Sequence, residues 1–408
     1  MQYNELHNYL KQKITFTEPL IQLSDLKQKV RNHTFNSDST DILKQSAKNI
    51  HDIFPESEEI PEKDQEAMRQ SKAILSVPDN EIPENASFRY HVFHDGDEEA
   101  TRAIILLHGF NERSWQKYLP WASSLAKSTK AAVILFPIAF HMNRSPSTWN
   151  DQHLMRAVSQ LRKKRHPYIV GSTLSNAAIS IRISANPGRF FWSGLQSFHD
   201  VNSLAKGILE GKIPGIKKDA AIDLFTYSIG TFLGEIVMMT DEDGMFRDSR
   251  MGIFCGGPVF NRLSPVSKFI LDSEGSVALY SYMVEHLVSH IKLDSVLAGH
   301  LHENGTPVGK NFRALLNYKL DQSYREEKLR DLGKRLYAIA LKQDEVVPAY
   351  EMISTLQGSK RDIPIQVEVM DPSFPHRHED PFPVGSKNSD IIDSCFKDIF
   401  QKMEEFLA

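Results

Sequence analysis

Residues 220–239 read AAIDLFTYSIGTFLGEIVMM. The run Ala221 to Tyr227 has the length and apolar character of a buried strand. Ser228 follows at once, and then the pattern changes period. Ile229, Phe232, Leu233, Ile236 and Val237 recur at spacings of three and four, which is one face of a helix. Gly230 and Gly234 lie four apart, so they share a helix face and allow close approach to a sheet. Strand, sharp turn with a serine at its tip, then helix is the layout of a nucleophile elbow. Such a turn needs small residues two before and two after the serine. Here they are Thr226 and Gly230, giving T-Y-S-I-G where the motif has G-x-S-x-G. The alternative is a serine that merely caps a buried helix.

Outward from this stretch, strands and helices alternate. Ser87 to His94 reads as a half-buried strand, and Ala103 to Leu107 as a fully apolar one ending in His108-Gly109-Phe110-Asn111. A helix is expected from about Ser114, then a buried strand at Ala131 to Phe136. A helix over 201–210 leads into the serine stretch. Met251 to Phe254, Leu336 to Leu341 and Ile363 to Met370 read as further strands. The chain closes with an amphipathic helix striped by Ile392, Phe396, Ile399, Phe400 and Met403. Alternation at this spacing means βαβ units and a mostly parallel sheet. Two stretches, 141–200 and 261–334, are too long for plain connections and read as insertions. Residues 1–85 are polar, with one helical pattern at Asp41 to Phe54 and a charged, proline-punctuated stretch after it. They read as an N-terminal extension, partly helical and draped on the surface; residues 86–408 form the main domain.

The chain has 408 residues, 41% hydrophobic and 25% charged, with a formal net charge of -4. That is ordinary for a globular protein with a large core. The charge gives no electrostatic case for nucleic acid or a membrane surface. No signal-peptide pattern and no run of 18 apolar residues is seen, so a cytoplasmic location and no membrane span are expected. Cys255 and Cys395 both sit in apolar stretches and read as small buried hydrophobes rather than a disulfide.

Groups that do chemistry in open parallel sheets gather at the carboxyl ends of the strands. Four such ends carry polar punctuation: His108-Gly109-Phe110, Ser228, Asp344, and the loop holding His376 and His378. A serine hydroxyl is a poor nucleophile until a histidine takes its proton. A carboxylate fixes that histidine's tautomer. An oxyanion needs two aimed donors, here the amides of Ile229 and Phe110.

The motifs LLHGF, FTYSIG, LKQDEVVP and the histidine loop, in the order Ser, Asp, His, make the chain resemble the α/β-hydrolase superfamily over residues 86–408, apart from the insertions. The stretches HGFNERSW, FPIAFHMNR and HEDPFP also resemble an uncharacterised bacterial branch of it. The resemblance implies an α/β-hydrolase sheet flanked by helices, with the two insertions as a cap. It implies a triad of Ser228, Asp344 and His378. The acid is Asp344 over Glu345 or Asp371, because it precedes a Val-Pro turn. The base is His378, with His376 as the alternative, because His378 heads HEDPFP. His108 in such a loop is usually structural, bonding the loop backbone.

His108, Asn111, Tyr227 and Arg144 are the residues expected around the substrate, although Arg144 also fits an anchor for the insertion. The aromatics Trp149, Phe190, Trp192, Tyr280 and Tyr282 suggest an apolar acyl or aromatic moiety. His286, His290, His300 and His302 cluster in the second insertion, but they lack the H-E-x-x-H pattern, so no metal is expected. No organic cofactor is implied. The expected activity is hydrolysis of a small-molecule ester or related acyl bond through an acyl-enzyme; a thioesterase or acyltransferase would use the same triad. The other class is a catalytically silent hydrolase fold that binds a small molecule. Neither substrate identity nor oligomeric state is legible.

Overall fold

The computed structural model describes residues 1–47 and 61–408. Among these, nine strands form one sheet: β1 (Leu20–Leu23), β2 (Gln28–Asn36), β3 (Ser87–Asp95), β4 (Ala100–Leu107), β5 (Ala132–Leu135), β6 (Ile216–Tyr227), β7 (Met251–Phe254), β8 (Leu336–Leu341) and β9 (Gln366–Met370). Their order is β1-β2-β3-β5-β4-β6-β7-β8-β9. The first three and β5 pair antiparallel. From β5 through β4 to β9 every pairing is parallel. Helices cover both faces, as a buried parallel sheet requires. This is the mostly parallel sheet flanked by helices that the alternation of strands and helices implied. No helix among the described residues is long and apolar enough to cross a membrane.

The expected strands β3 to β9 are present, with β7 and β8 beginning and ending where the apolar runs do. The first residues differ from expectation. They are not a surface drape, because β1 and β2 extend the sheet beyond β3. Their sequence hides this. The strand QKVRNHTFN has few apolar residues, and part of its burial is by a polar side chain with a partner: Gln28 Nε2 donates to Ser123 O at 2.8 Å. The helical pattern expected at Asp41 to Phe54 begins as a 3-10 helix over Thr40–Ala47, and the rest lies outside the described residues.

The helix expected over 201–210 begins twelve residues earlier, running Arg189–Leu209. The stretch 141–200 therefore ends inside that helix, which packs on β6 and on the helix after Ser228. The two long connections pack on each other. Ser273–Tyr280 lies against Ala177–Ala185, and Arg162 pairs with Asp272 at 2.7 Å. Asp272 also caps its own helix by accepting from Gly275 N at 2.9 Å.

β6 is central, with β4 on one side and β7 on the other. Its end is therefore held by two ladders, and that rigidity positions the turn at Ser228.

Candidate active site

Ser228 leaves β6 at φ 57° and ψ −125° and starts the helix Ile229–Thr240. A non-glycine residue held there costs about 1–3 kcal/mol, so the surroundings must enforce it. They do so by crowding. A Cβ on Gly230 would lie 2.3 Å from the carbonyl oxygen of Leu107. Only glycine lets this helix begin so close to the end of β4. Thr226, the departure from the small-residue pattern, fits for a similar reason. Its methyl faces Gly234, where a Cβ would come within 2.9 Å of it. Its hydroxyl accepts from Thr231 Oγ1 at 3.0 Å and donates to the Gly252 carbonyl at 3.4 Å.

Three strand ends converge on the serine. His378 Nε2 lies 2.7 Å from Ser228 Oγ, and its Nδ1 lies 2.7 Å from Asp344 Oδ2. Asp344 and His378 are buried, whereas Ser228 is half-buried. The other oxygen of Asp344 accepts from the amides of Val346 at 2.9 Å and Val347 at 2.8 Å. The carboxylate thus caps its own turn and holds the imidazole at once. Behind the imidazole the Tyr227 ring stacks at 5.2 Å, and its hydroxyl donates to the carbonyl of His378. Buried Cys255 sits beside Asp344; burial first, and then the Asp344 charge, push its thiol well up. Both cysteines are free thiols.

The other candidate histidine faces elsewhere. His376 Nδ1 donates to the Phe374 carbonyl at 3.0 Å. The structure thus brings together Ser228, Asp344 and His378, and leaves His376 on a neighbouring wall.

The loop after β4 is braced from inside. His108 is wholly buried, donates from Nδ1 to Gly109 O at 2.8 Å, and accepts at Nε2 from Ile138 N at 2.9 Å. Both nitrogens are therefore engaged with backbone, and burial holds the ring neutral. Gly109 N donates to Tyr118 Oη at 2.9 Å, which donates to Glu112 at 3.0 Å. Glu112 also pairs with Lys117. Among the described residues, the amides of Phe110 and Ile229 donate to no protein acceptor. Both flank Ser228 along one cavity wall.

Three of the four residues expected around the substrate are committed inside the fold. His108 braces the loop. Tyr227 is buried behind His378. Arg144 is wholly buried, with Asp200 at 2.8 Å, Asn85 Oδ1 at 3.1 Å and the Phe88 ring at 3.9 Å. It anchors the chain after β5 and reaches no cavity wall near Ser228. Asn111 alone lines an open cleft, while its amide bonds to the carbonyls of Ser175 and Phe269 and ties both insertions to the loop.

Of the aromatics expected near a substrate, Phe190 lines the cavity at Ser228. Trp149 and Trp192 are buried in packing, and Tyr282 stacks on His290 at 4.0 Å. Of the remaining insertion histidines, His300 approaches Thr306 Oγ1 at 3.2 Å. Among the described residues no group of three or more metal-binding side chains occurs. The bracing roles of Glu112 and Tyr118 had no signal in the spacing of motifs.

A family model described as a family of unknown function (DUF6051) matches residues 1–408. No curated protein matches the sequence. Among solved structures, esterase Est22 is similar at 10% identity and TM-score 0.46, over 99% of this chain and 87% of that one. An esterase from Pseudomonas putida ECU1011 is similar at 10% identity and TM-score 0.39, over 79% of this chain and 80% of that one. An acylaminoacyl peptidase from Pyrococcus horikoshii aligns at 11% identity and TM-score 0.40, over 79% of this chain and 40% of that one.

Proposed function

The chain belongs to DUF6051, a family of unknown function, and we propose that it is a serine hydrolase that cleaves a carboxylic ester or related acyl bond. The observation that carries this reading is the His378 imidazole, held at 2.7 Å from both Ser228 Oγ and Asp344 Oδ2. In this mechanism Ser228 Oγ attacks the acyl carbon as His378 Nε2 takes its proton. The carbonyl π electrons move onto oxygen, which the amides of Ile229 and Phe110 meet. Collapse breaks the bond to the leaving oxygen, and His378 returns the proton to it. Water, deprotonated by the same ring, then attacks the acyl-serine; the acyl–Oγ bond breaks, His378 returns the proton to Ser228 Oγ, and the acid is freed. Asp344 holds the Nδ1–H tautomer and offsets the positive charge of the imidazolium. Losing one oxyanion donor in such a site costs about 2.7–4 kcal/mol of barrier.

The reading is supported by what crowds Ser228. The strained turn exposes the hydroxyl and puts the Ile229 amide at a helix N-terminus, where the helix dipole favours negative charge. The two insertions lie over the same cavity and act as its cap.

The test is hydrolysis of p-nitrophenyl esters by native protein and Ser228→Ala, with fluorophosphonate labelling of both. Native activity and labelling that vanish in the variant are expected. Labelling that persists in Ser228→Ala would remove this serine from the scheme. No turnover and no labelling of the native protein would point to a silent binding fold.

A further inference from the structure

The cavity at Ser228 adjoins two open clefts, sharing Val346 with one and Phe110 and Ile270 with the other. On the side of the Ile229 and Phe110 amides is a cavity of about 40 Å³. Its wall is Phe190, Phe260, Leu271, Leu279 and Val347, among other apolar groups, with Ser228 as its polar member. A second apolar cavity of about 50 Å³ adjoins it at Phe110, Phe190 and Ile229. A water needs roughly 10–15 Å³ measured this way, so the two together admit a short acyl chain of about two to six carbons.

On the side of His378 the surface changes. A cleft of about 620 Å³ has His378 in its wall, together with Lys268, Glu345, His376, Arg377 and Glu379. It shares Phe269, His376, Arg377 and Glu379 with a second cleft of about 660 Å³ that reaches Phe110. In the cleft that holds His378 two cations face two carboxylates, so no net charge selects an anion or a cation. The donors and acceptors are mixed. His376 gives its Nδ1–H to Phe374, and its Nε2 is buried, so the ring offers the cleft no acceptor. Glu379 takes one bond from Ser267 Oγ at 2.5 Å and keeps its second oxygen. Phe269, 44% exposed, presents an apolar ring between the two clefts.

Chemistry decides which half of an ester meets which side. His378 Nε2 must protonate the departing oxygen, so the alcohol leaves toward the cleft that His378 lines. The acyl group then falls into the small apolar cavity. We propose that the substrate is a short-chain acyl ester of a neutral, polyhydroxylated alcohol of the sugar class. Its hydroxyls meet the mixed polar wall, and the C–H face of its ring lies on Phe269. This rests on the serine hydrolase reading given above.

The experiment separates the two ideas. Fluorophosphonate labelling of the native full-length chain reports the serine alone, whatever the substrate. On labelled-competent protein, kcat/KM is measured for p-nitrophenyl acetate, butyrate and octanoate, and for methyl glucoside acetates against ethyl acetate. The expected results are a drop of about 100-fold from butyrate to octanoate and a preference of about tenfold or more for the sugar acetate. In Arg377→Ala and Phe269→Ala, both exposed positions, the ratio of sugar acetate to ethyl acetate should fall about tenfold, mainly through KM. Octanoate turned over as well as acetate would overturn the acyl half of the proposal and indicate a lipid-like substrate. A sugar acetate no better than ethyl acetate, or an unchanged ratio in both variants, would overturn the alcohol half. Absent labelling would instead overturn the hydrolase reading beneath it.

Discussion

Both oxygens of Asp344 are occupied, one by two turn amides and one by His378. Asn at this position keeps the shape but offers an N–H₂ where the imidazole needs an acceptor, or forces the wrong tautomer. Asp344→Asn should lower kcat on esters by about 10⁴, and a loss below about tenfold would remove Asp344 from the relay. Single residues of this kind were legible because each follows an apolar strand. Arg144 and Tyr227 were not, because a sequence does not say whether a polar group beside a strand end faces a cavity or a buried partner such as Asp200. Glu235 was silent for the same reason. It is fully buried in the helix after Ser228, and among the described residues neither carboxyl oxygen has a hydrogen-bond partner. Burial raises its pKa well above the usual 4.5, with the Arg325 charge opposing in part. The folded chain thus keeps a proton that the unfolded chain releases above pH 4.5. Stability contributed here is fully present below 4.5 and is lost as pH rises. Glu235→Gln removes that dependence. Unfolding free energies of variant and native protein should diverge above pH 4.5 in the variant's favour, by at most about 1.4 kcal/mol per pH unit. Parallel pH profiles would refute it.

The strand–turn–helix at 216–240 shows what an element encodes beyond its residues. Gly230 and Gly234, spaced to share a helix face, meet different neighbours. At Gly230 a Cβ would strike the backbone oxygens of Leu107 and His108. At Gly234 it would strike the side chains of Met251 and Thr226. Side chains can turn aside more readily than a strand backbone. Gly230→Ala should therefore cost about 3 kcal/mol in denaturant unfolding and abolish fluorophosphonate labelling, while Gly234→Ala should cost less and keep some labelling. Equal effects would mean that the helix does not depend on close approach to β4. Period and turn chemistry carried this element, and the apolar runs carried β7 and β8. They failed at β1 and β2, where part of the burial is by a polar side chain with a partner far along the chain, Gln28 with Ser123.

At the scale of the molecule, polar contacts stitch the first hundred residues to the body. Asp79 is buried between Arg182 and Arg189, the latter at 3.0 Å. Asp79→Ala leaves two buried guanidinium groups facing each other without a counter-charge. It should destabilise the fold by about 3–5 kcal/mol in denaturant unfolding, and an effect under about 1 kcal/mol would mean that water reaches the pair. The presence of strands β3 to β9 was readable because each is an apolar or alternating run, and from β4 onward every connection carries a helix. The joining of the first helix, Tyr3–Lys13, to the last, Ser389–Leu407, was not, because no local pattern records a contact across the whole chain. Tyr3 N donates to Asp393 at 2.8 Å, and the rings of Tyr3 and Phe396 lie 4.7 Å apart. During synthesis this means a wait. Leu119–Thr129 reaches the earliest helix first, but at ribosomal rates of about 5–20 residues per second the part of it that meets Ser389–Leu407 stays uncovered for roughly 20–80 s. A nascent chain with that interval is a natural client for chaperones that shield hydrophobic surface near the exit tunnel.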